Sequence, residues 1–335
     1  YNYCGLKDKD NGIDLIYRIT IDDNNDNILN IFGNGEMRNY NDGNIVSNEY
    51  EIKAVTVSNG ISNLGTNFMN GMSSLKTVSM MNNITKIGDR AFENCIGLDE
   101  IVFPNDLEYL GGSVCLGCTG LESVKLSSKI SEINNNAFNG CTGLTKVELP
   151  ESVTRIGENA FEGCTGLTEF KIPSQVVAIG NSAFKDCTRI ENFSFYGNFI
   201  KEIGEDAFGK IGQENNATVM YYPGDNSTWT KQEYVLSNPN YNGAKNIKWV
   251  AYMYGYCGDL STNEGKDIMY VVLSRDDKYT VEISGNGKMR NYISGDSLLF
   301  AFNGKKNIES IKVDEGVTNI GSNAFYDYTS LVDIT

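Results

Sequence analysis

Eight cysteines and no histidine set what chemistry this 335-residue chain can attempt. Five of the thiols, Cys95, Cys118, Cys141, Cys164 and Cys187, recur at one constant spacing of 23 residues. Thiolates bind metals, pair as disulfides or act as nucleophiles. The absence of histidine removes Ser-His-Asp and Cys-His catalysis and every His-ligated metal site. A metal also needs ligands that converge on a point, whereas a fixed period spreads equivalent side chains along a line. Stacked equivalents hold their Cβ vectors parallel, and a disulfide needs them turned toward each other. Met72 and Tyr328 fill the same position in other units, so the slot accepts non-thiols. The column therefore reads as a buried corner filled by a small apolar side chain with a weak S–H donor. All eight cysteines are expected to be free thiols. In so apolar a slot Cys141→Ser is expected to be worse than Cys141→Ala, by about 1–3 kcal/mol for an unpaired hydroxyl. Cys115-x-x-Cys118 resembles a redox or zinc pair, but a lone C-x-x-C is little evidence for zinc. Cys115 stands where Phe92, Phe138, Phe161 and Phe184 stand in other units, which makes it a substitution in a core position.

The elements that hold this column follow from the period. Leu121-x-x-Val124-x-Leu126 returns as Leu144-x-x-Val147-x-Leu149 and as Leu167-x-x-Phe170-x-Ile172. A fixed period in the 20–30 range with this leucine spacing marks a leucine-rich-repeat solenoid. Seven units begin at Ile52, Leu75, Leu98, Leu121, Leu144, Leu167 and Ile190. Each opens with a short strand, followed by a turn marked by Pro104, Pro150 or Pro173, where a missing N–H costs little. A second apolar pair such as Val153 and Ile156 comes next, then glycine, then a turn or helical piece carrying Ala-Phe, then Thr-Gly. The expected fold is a parallel β-sheet on one side with short strands and turns on the convex side.

The outward strand positions form two columns. One reads Val102, Lys125, Glu148, Lys171, Ser194; the other reads Glu100, Ser123, Lys146, Glu169, Asn192. Glu100, Lys125, Lys146, Glu148, Glu169 and Lys171 are the candidate binding residues. The competing reading is a charge ladder, since opposite charges on neighbouring strands contribute about 0.2–1 kcal/mol per pair. Interleaved charges of this kind are unlike the isolated carboxylate pair of a glycosidase.

A module is duplicated around the array. Tyr3-Cys4-Gly5 is echoed by Tyr256-Cys257-Gly258, and Gly33-Asn-Gly-Glu-Met-Arg-Asn-Tyr40 by Gly285-Asn-Gly-Lys-Met-Arg-Asn-Tyr292. Each copy reads as a β-meander that caps the first coil of an array. Gly-Asn-Gly is a turn and not a nucleotide loop, because the third glycine of G-x-G-x-x-G is replaced by Arg38 and Arg290. Asp22-x-Asn24-x-Asp26 resembles the start of a calcium loop but lacks the glycine and terminal glutamate that such a loop needs. Past about Ala217 a strand at Thr218–Tyr222, a turn at Pro223-Gly224, a short helix over Thr228 to Leu236 carrying Trp229, and a strand at Asn246–Val250 are expected. The expected organisation is a meander cap over 1–51, the seven-unit array over 52–213, its closing cap over 214–253, the second meander over 254–307, and a second array from 308 to 335. Because the last strand, Leu331–Ile334, opens a further coil, the natural protein is expected to continue past Thr335. The start at Tyr1 leads to the expectation of a processed or trimmed N-terminus.

A net charge of −15, from 28 basic and 43 acidic residues, argues against nucleic acid and anionic membrane surfaces as partners. No run approaches the roughly 20 apolar residues of a spanning helix. Sequons stand at Asn83, Asn192, Asn216 and Asn226. The full unit L-x-x-V-x-L-P-x-S-V-T-x-I-G-x-x-A-F-x-x-C-T-G, from Leu144 to Gly166, resembles the BspA-like leucine-rich-repeat proteins on the surfaces of mucosal bacteria and parasitic protists. The duplicated module also resembles the segment that precedes repeats in that family, although neither copy has the Pro-Trp that often follows Asn-Tyr in relatives. The resemblance implies a non-catalytic, secreted or surface-anchored interaction protein, without cofactor or metal. Its implied partners are proteins, among them extracellular-matrix and host-surface proteins such as fibronectin and fibrinogen. The alternatives are a targeting or spacer region of a larger secreted enzyme, and a carbohydrate-binding scaffold using exposed aromatics such as Tyr196 and Phe199.

Overall fold

The computed structural model describes residues 2–3, 15–41, 43–214, 218–223, 235, 241–245, 247–256, 268–275, 278–292 and 307–335. Cys4, Cys257, Gly224, the sequons at Asn216 and Asn226, and the expected helix over Thr228 to Leu236 (Val235 apart) lie outside the described residues. The chain divides into two compact units, Tyr1–Met220 with Tyr234–Lys248, and Tyr221–Glu233 with Trp249–Thr335.

The first unit is a leucine-rich-repeat solenoid. Its first strand column contains Ile52–Val57, Thr77–Ser79, Glu100–Val102, Ser123–Lys125, Lys146–Glu148, Glu169–Ile172 and Asn192–Phe195. Pairing within the column is parallel, with residues 23 apart opposite each other, as Ser123 is with Lys146 and Phe170 with Phe193. A second parallel column of shorter strands includes Lys86–Ile87, Tyr109–Leu110, Glu132–Ile133, Arg155–Ile156 and Ala178–Ile179. Between the columns each chain turns through a bond closed by the residue three places on, as Val153 N–H donates to the Pro150 carbonyl at 3.1 Å.

The segment carrying Ala-Phe is not helical. It runs through two left-handed residues four apart in every coil, such as Asn136 (φ 56°) with Gly140 (φ 72°) and Asn159 (φ 53°) with Gly163 (φ 70°). That conformation costs an ordinary L-residue about 1–2 kcal/mol, which suits Asn, Asp and Gly and stops a helix from propagating. Its return is a third inter-coil ladder. The N–H groups of Asn136, Phe138 and Gly140 donate to the carbonyls of Glu158, Ala160 and Glu162 in the next coil at 2.8, 2.9 and 2.7 Å.

Inside the three ladders lies a continuous core. The unit-opening residues from Ile52 to Ile190 and the column from Cys95 to Cys187 are all fully buried. Phe138, Phe161 and Phe184 stack at 5.4 and 5.5 Å with interplanar angles of 15° and 8°. Full burial of each such side chain is worth roughly 1.5–3 kcal/mol. Cys115 interrupts the stack as a fully buried core residue, and Val114 beside it replaces the alanine of other coils, so added and lost volume lie side by side.

Both ends of this array are closed by groups that imitate a coil. At the start, Leu15–Ile21 and Asn27–Gly33 form an antiparallel hairpin, and Asn27–Gly33 then pairs in parallel with Ile52–Val57. Gly35–Glu36 likewise pairs in parallel with Ile61–Leu64, opening the second column. The hairpin is thus a lid whose last strand is already in repeat register. At the far end Asn242 offers its carbonyl to Phe208 N–H at 2.9 Å, the bond that Ala207 gives Phe184. Thr218, fully buried, donates its hydroxyl to the Ile190 carbonyl at 3.0 Å.

The second unit repeats this opening. Ile268–Arg275 pairs antiparallel with Lys278–Gly285, which pairs in parallel with Ile308–Val313, and Gly287–Lys288 pairs with Val317–Asn319. Ile268, Val281, Ile283, Met289, Ile308 and Ile311 form its core.

Two kinds of glycine separate experimentally. A Cβ on Gly111 would lie 2.4 Å from the Gly88 carbonyl carbon and 2.5 Å from Asp89 N, atoms that cannot yield without parting the coils. Gly140 needs only its left-handed φ of 72°, and a Cβ there meets nothing nearer than 3.7 Å. Gly111→Ala is expected to cost about 3 kcal/mol and Gly140→Ala about 1 kcal/mol. Equal shifts in thermal unfolding would refute this account of coil spacing.

Candidate functional site

The six candidate charges all stand exposed on the first strand column. Ser123 lies opposite both Glu100 and Lys146, and Lys125 opposite both Val102 and Glu148, so four of the candidates share one three-stranded ladder. Glu169 and Lys171 belong to the next ladder, opposite Asn192 and Ser194. The expected alternation of charge across strands does not become a chain of cross-strand ion pairs. Instead Lys146 Nζ meets Glu148 Oε1 along the same strand at 2.8 Å, both side chains about two-thirds exposed at 70% and 66%. A two-residue step on one strand face is within reach of a lysine. Solvent screening then leaves little to gain from the longer cross-strand reach. Among the described residues Glu100, Lys125, Glu169 and Lys171 make no ion pair.

Inter-coil ion pairs occur beside this face, where sequence reasoning did not place them. Lys76 Nζ lies 3.4 Å from Asp99 Oδ1, and Lys129 Nζ lies 2.8 Å from Asp106 Oδ1. Both join residues one period apart. Opposite charges separated by 23 residues were the available signal. Tyr196 and Phe199, expected as exposed aromatics, are partly buried instead. The chain after Phe195 is drawn down, with Tyr196 N–H donating to the Ile172 carbonyl at 3.1 Å and Gly197 packed on Ser174.

The thiol column is inert for a reason its sequence conceals. Each sulfur donates to a backbone carbonyl of the preceding coil: Cys118 to Phe92 at 3.0 Å, and Cys141 to Cys115, Cys164 to Phe138 and Cys187 to Phe161, each at 3.1 Å. The same carbonyls also accept the backbone N–H three residues on, as Cys115 does from Cys118 at 3.1 Å, so both lone pairs are engaged. This corrects the picture of an apolar slot without an acceptor. Burial raises the Cys95, Cys141 and Cys164 thiols well above 9.0 and pushes Cys187 up to about 12. Cys115 is raised as well, first by its hydrogen bond to the Cys118 thiol and then by burial. All six described cysteines are free and buried. Among the described residues no three His, Cys, Asp or Glu side chains group as metal ligands.

The other motifs are consumed by structure. Asp22 Oδ1 accepts from the N–H groups of Asn24 and Asp26, both at 2.9 Å, which makes the acidic run a self-capped hairpin turn. Gly33, Gly35, Gly285 and Gly287 hold φ between 109° and 122°, a region that L-residues rarely enter, so Gly-Asn-Gly is a turn in both units. Arg38 and Arg290 lie over Tyr40 and Tyr292, each 5.3 Å from the ring centroid. Asn39 and Asn291 accept the N–H of Thr66 and Ser322 at 2.9 Å, in place of a preceding coil. The sequon residue Asn83 donates its amide to the Ile61 carbonyl at 2.8 Å. No helix among the described residues is long and apolar enough to cross a membrane.

The family described as BspA type Leucine rich repeat region matches residues 36–121, 111–222 and 299–335, in six copies. No curated protein matches the chain. Among solved structures, a leucine-rich cell surface protein from Faecalibacterium prausnitzii is similar at 18% identity and TM-score 0.37, over 95% of this chain and 92% of that one. A leucine-rich repeat protein from Bacteroides ovatus is similar at 15% identity and TM-score 0.37, over 96% and 92%. The pneumococcal vaccine antigen PcpA is similar at 14% identity and TM-score 0.37, over 96% and 85%. Likeness at this level carries no functional argument.

Two expectations follow from the thiol column. Serine at position 141 keeps a donor for the Cys115 carbonyl, so Cys141→Ser should melt no lower than Cys141→Ala; a clearly lower melt would restore the apolar picture. Protonated thiols are favoured in the fold, so their contribution is complete below pH 9 and is lost as pH rises toward the Cys187 value of about 12. The melting temperature should therefore fall across that interval, less steeply for Cys187→Ala, and an identical fall in the variant would contradict the assignment.

Proposed function

We propose, from the premise that this chain belongs to the BspA-type leucine-rich-repeat family, that it is a non-catalytic, secreted or surface-displayed protein that binds other proteins through its exposed strand face. Repeat scaffolds of this kind serve generally as protein-interaction modules. The observation that supports the reading most is the strand face itself. It presents Glu100, Lys125, Glu169 and Lys171 exposed and outside any ion pair among the described residues, on strands held rigidly by their neighbours. A partner with complementary charge meets groups that give up no internal pairing on binding, and such complementarity acts mostly on specificity and association rate. Extracellular-matrix and host-surface proteins, fibronectin and fibrinogen among them, are the partner class that the family resemblance implies. The buried, unreactive thiols and the absence of histidine direct the reading away from catalysis.

The double variant Lys146→Glu with Lys171→Glu tests this reading, with binding to immobilised fibronectin and fibrinogen and a thermal melt taken on one sample. Losing the exposed Lys146–Glu148 pair should cost at most about 1 kcal/mol. Binding is expected to fall about tenfold or more, and wild-type binding to weaken with added salt. A lowered melt with binding unchanged would reduce these charges to a structural role.

A further inference from the structure

Away from the strand face, the residue after the repeat glycine forms a column of its own: Thr66, Asp89, Gly112, Asn135, Glu158, Asn181 and Glu205. Where it is Asp or Asn, its side chain caps the next coil. Asp89 Oδ1 accepts from Gly112 N–H, Asn135 Oδ1 from Glu158 N–H, and Asn181 Oδ1 from Glu205 N–H, at 2.9, 2.9 and 2.8 Å. Gly112 alone in this column has no side chain. The gap is the floor of an open groove of about 380 Å³, walled by Asp89 and Tyr109 on one side and by Asn134 and Asn135 on the other.

The groove is built from departures that the fold does not need. Gly112 carries no positive φ, so its backbone angles do not demand glycine, although a Cβ there would stand 3.3 Å from the Asn135 carbonyl oxygen, which would have to give by a few tenths of an ångström. Asn134 replaces the coil-spacing glycine of its neighbours, and it answers its own amide through the Leu110 carbonyl at 2.6 Å. The missing side chain leaves the Asn135 N–H without a hydrogen-bond partner among the described residues. Asp89 Oδ2 and Asn134 Oδ1 accept no hydrogen bond there either, whereas the Asn134 carbonyl is taken by Ala137 N–H at 3.2 Å. Tyr109, 43% exposed, is fixed by its hydroxyl donating to Asp89 Oδ1 at 3.4 Å and by Lys86 Nζ at 5.1 Å from the ring centroid.

These groups define a ligand class. The volume lies near the lower end of the roughly 300–1,000 Å³ of ligand sites, yet the lining is polar where such sites are mostly apolar. Convergent donors and acceptors around an aromatic ring suit a pyranose, which offers hydroxyls at its edge and a C–H face to the ring. An anion is disfavoured. Burial first, then the Asp89 and Glu132 carboxylates, raise the Tyr109 phenol above its ordinary value, so the local field is negative. Arg90, which also lines the groove, is already set against Glu93 at 3.5 Å. We propose that this groove binds a neutral saccharide unit, with Asp89, Asn134 and the Asn135 N–H holding hydroxyls and Tyr109 supporting the sugar face.

The test is to give the coil back the side chain it lacks. Gly112→Asn places in the groove the residue found at 135 and 181, and it offers Asn135 N–H the cap seen elsewhere in the column. The wild-type chain, Gly112→Asn and Tyr109→Ala are compared on an array of neutral oligosaccharides with sialylated and sulfated counterparts, then by calorimetry with the strongest neutral binder. Thermal melts are recorded for each protein. We expect neutral glycans to bind the wild type, and affinity to fall at least about tenfold in both variants, with Gly112→Asn still unfolding in one cooperative transition. The double variant Lys146→Glu with Lys171→Glu should retain full saccharide binding, which separates this site from the strand face. No neutral glycan bound by the wild type, binding confined to acidic glycans, or affinity retained in both variants would each overturn the proposal.

Discussion

Everything in this molecule depends on how closely one backbone coil can lie on the next. A coil of 23 residues has too little interior to bury its own apolar side, and its polar backbone groups find most of their partners in adjacent coils. Three ladders meet that demand in every turn, two from short strands and one from the left-handed segment. The ladders form only if nothing stands between the backbones, and Gly88, Gly111, Gly157, Gly180 and Gly204 keep that space clear. The cysteine column obeys the same constraint. A small side chain fits the corner where the chain turns back, and its sulfur reaches the carbonyl one coil behind. Thiol, glycine and left-handed asparagine are three answers to one requirement of spacing.

A stack held this way has unsatisfied ends, and the duplicated module resolves that by being half a coil. Its hairpin offers one strand in register, with a bulge at Asn27/Ile28 or Tyr279/Thr280 adjusting the pitch, while the other strand pairs with a further antiparallel strand. Asn39 and Asn291 then supply, from a side chain, the acceptor that a previous coil would have supplied. The close approach of Gly65 to the Arg38 carbonyl and of Gly321 to the Arg290 carbonyl shows the same spacing rule at work. Identical motifs in two units therefore reflect one mechanical task, which is why Gly-Asn-Gly-x-Met-Arg-Asn-Tyr needs no ligand to explain it.

The period, the strands, the buried columns and the turn after each strand were legible because each is a one-dimensional pattern. What escaped the sequence depends on direction. Ala-Phe is as compatible with a helical turn as with the alternating left-handed segment, and only the inter-coil bonds of residues such as Asn136 and Gly140 decide it. The acceptor facing each thiol is a backbone carbonyl, and backbone groups have no letter in a sequence. Charge columns were read correctly as columns, but which neighbour a lysine chooses is a matter of reach: Lys146 turns along its strand to Glu148, while Lys76 and Lys129 turn across coils. Tyr196 and Phe199 misled because a polar setting in the sequence hides how tightly Gly197 draws the chain onto Ser174.

In a molecule governed by repetition, the informative residues are those that break the pattern, and they fall into two kinds. Some breaks are compensated where they occur. Cys115 gives up a phenylalanine's volume while Val114 takes more than an alanine's, and Met69 with Phe68 trades volume between the same two slots in the same sense. Such pairs leave the core filled and carry no message beyond packing. Other breaks leave something open. Glycine at 112 removes a cap where no positive φ requires it, and nothing nearby makes good the lost hydrogen bond. Selection for stability alone would fill that position, since a capping side chain of this type is worth about 1 kcal/mol. A break that costs stability and gains no packing has to be explained at the surface, by what the opened space admits.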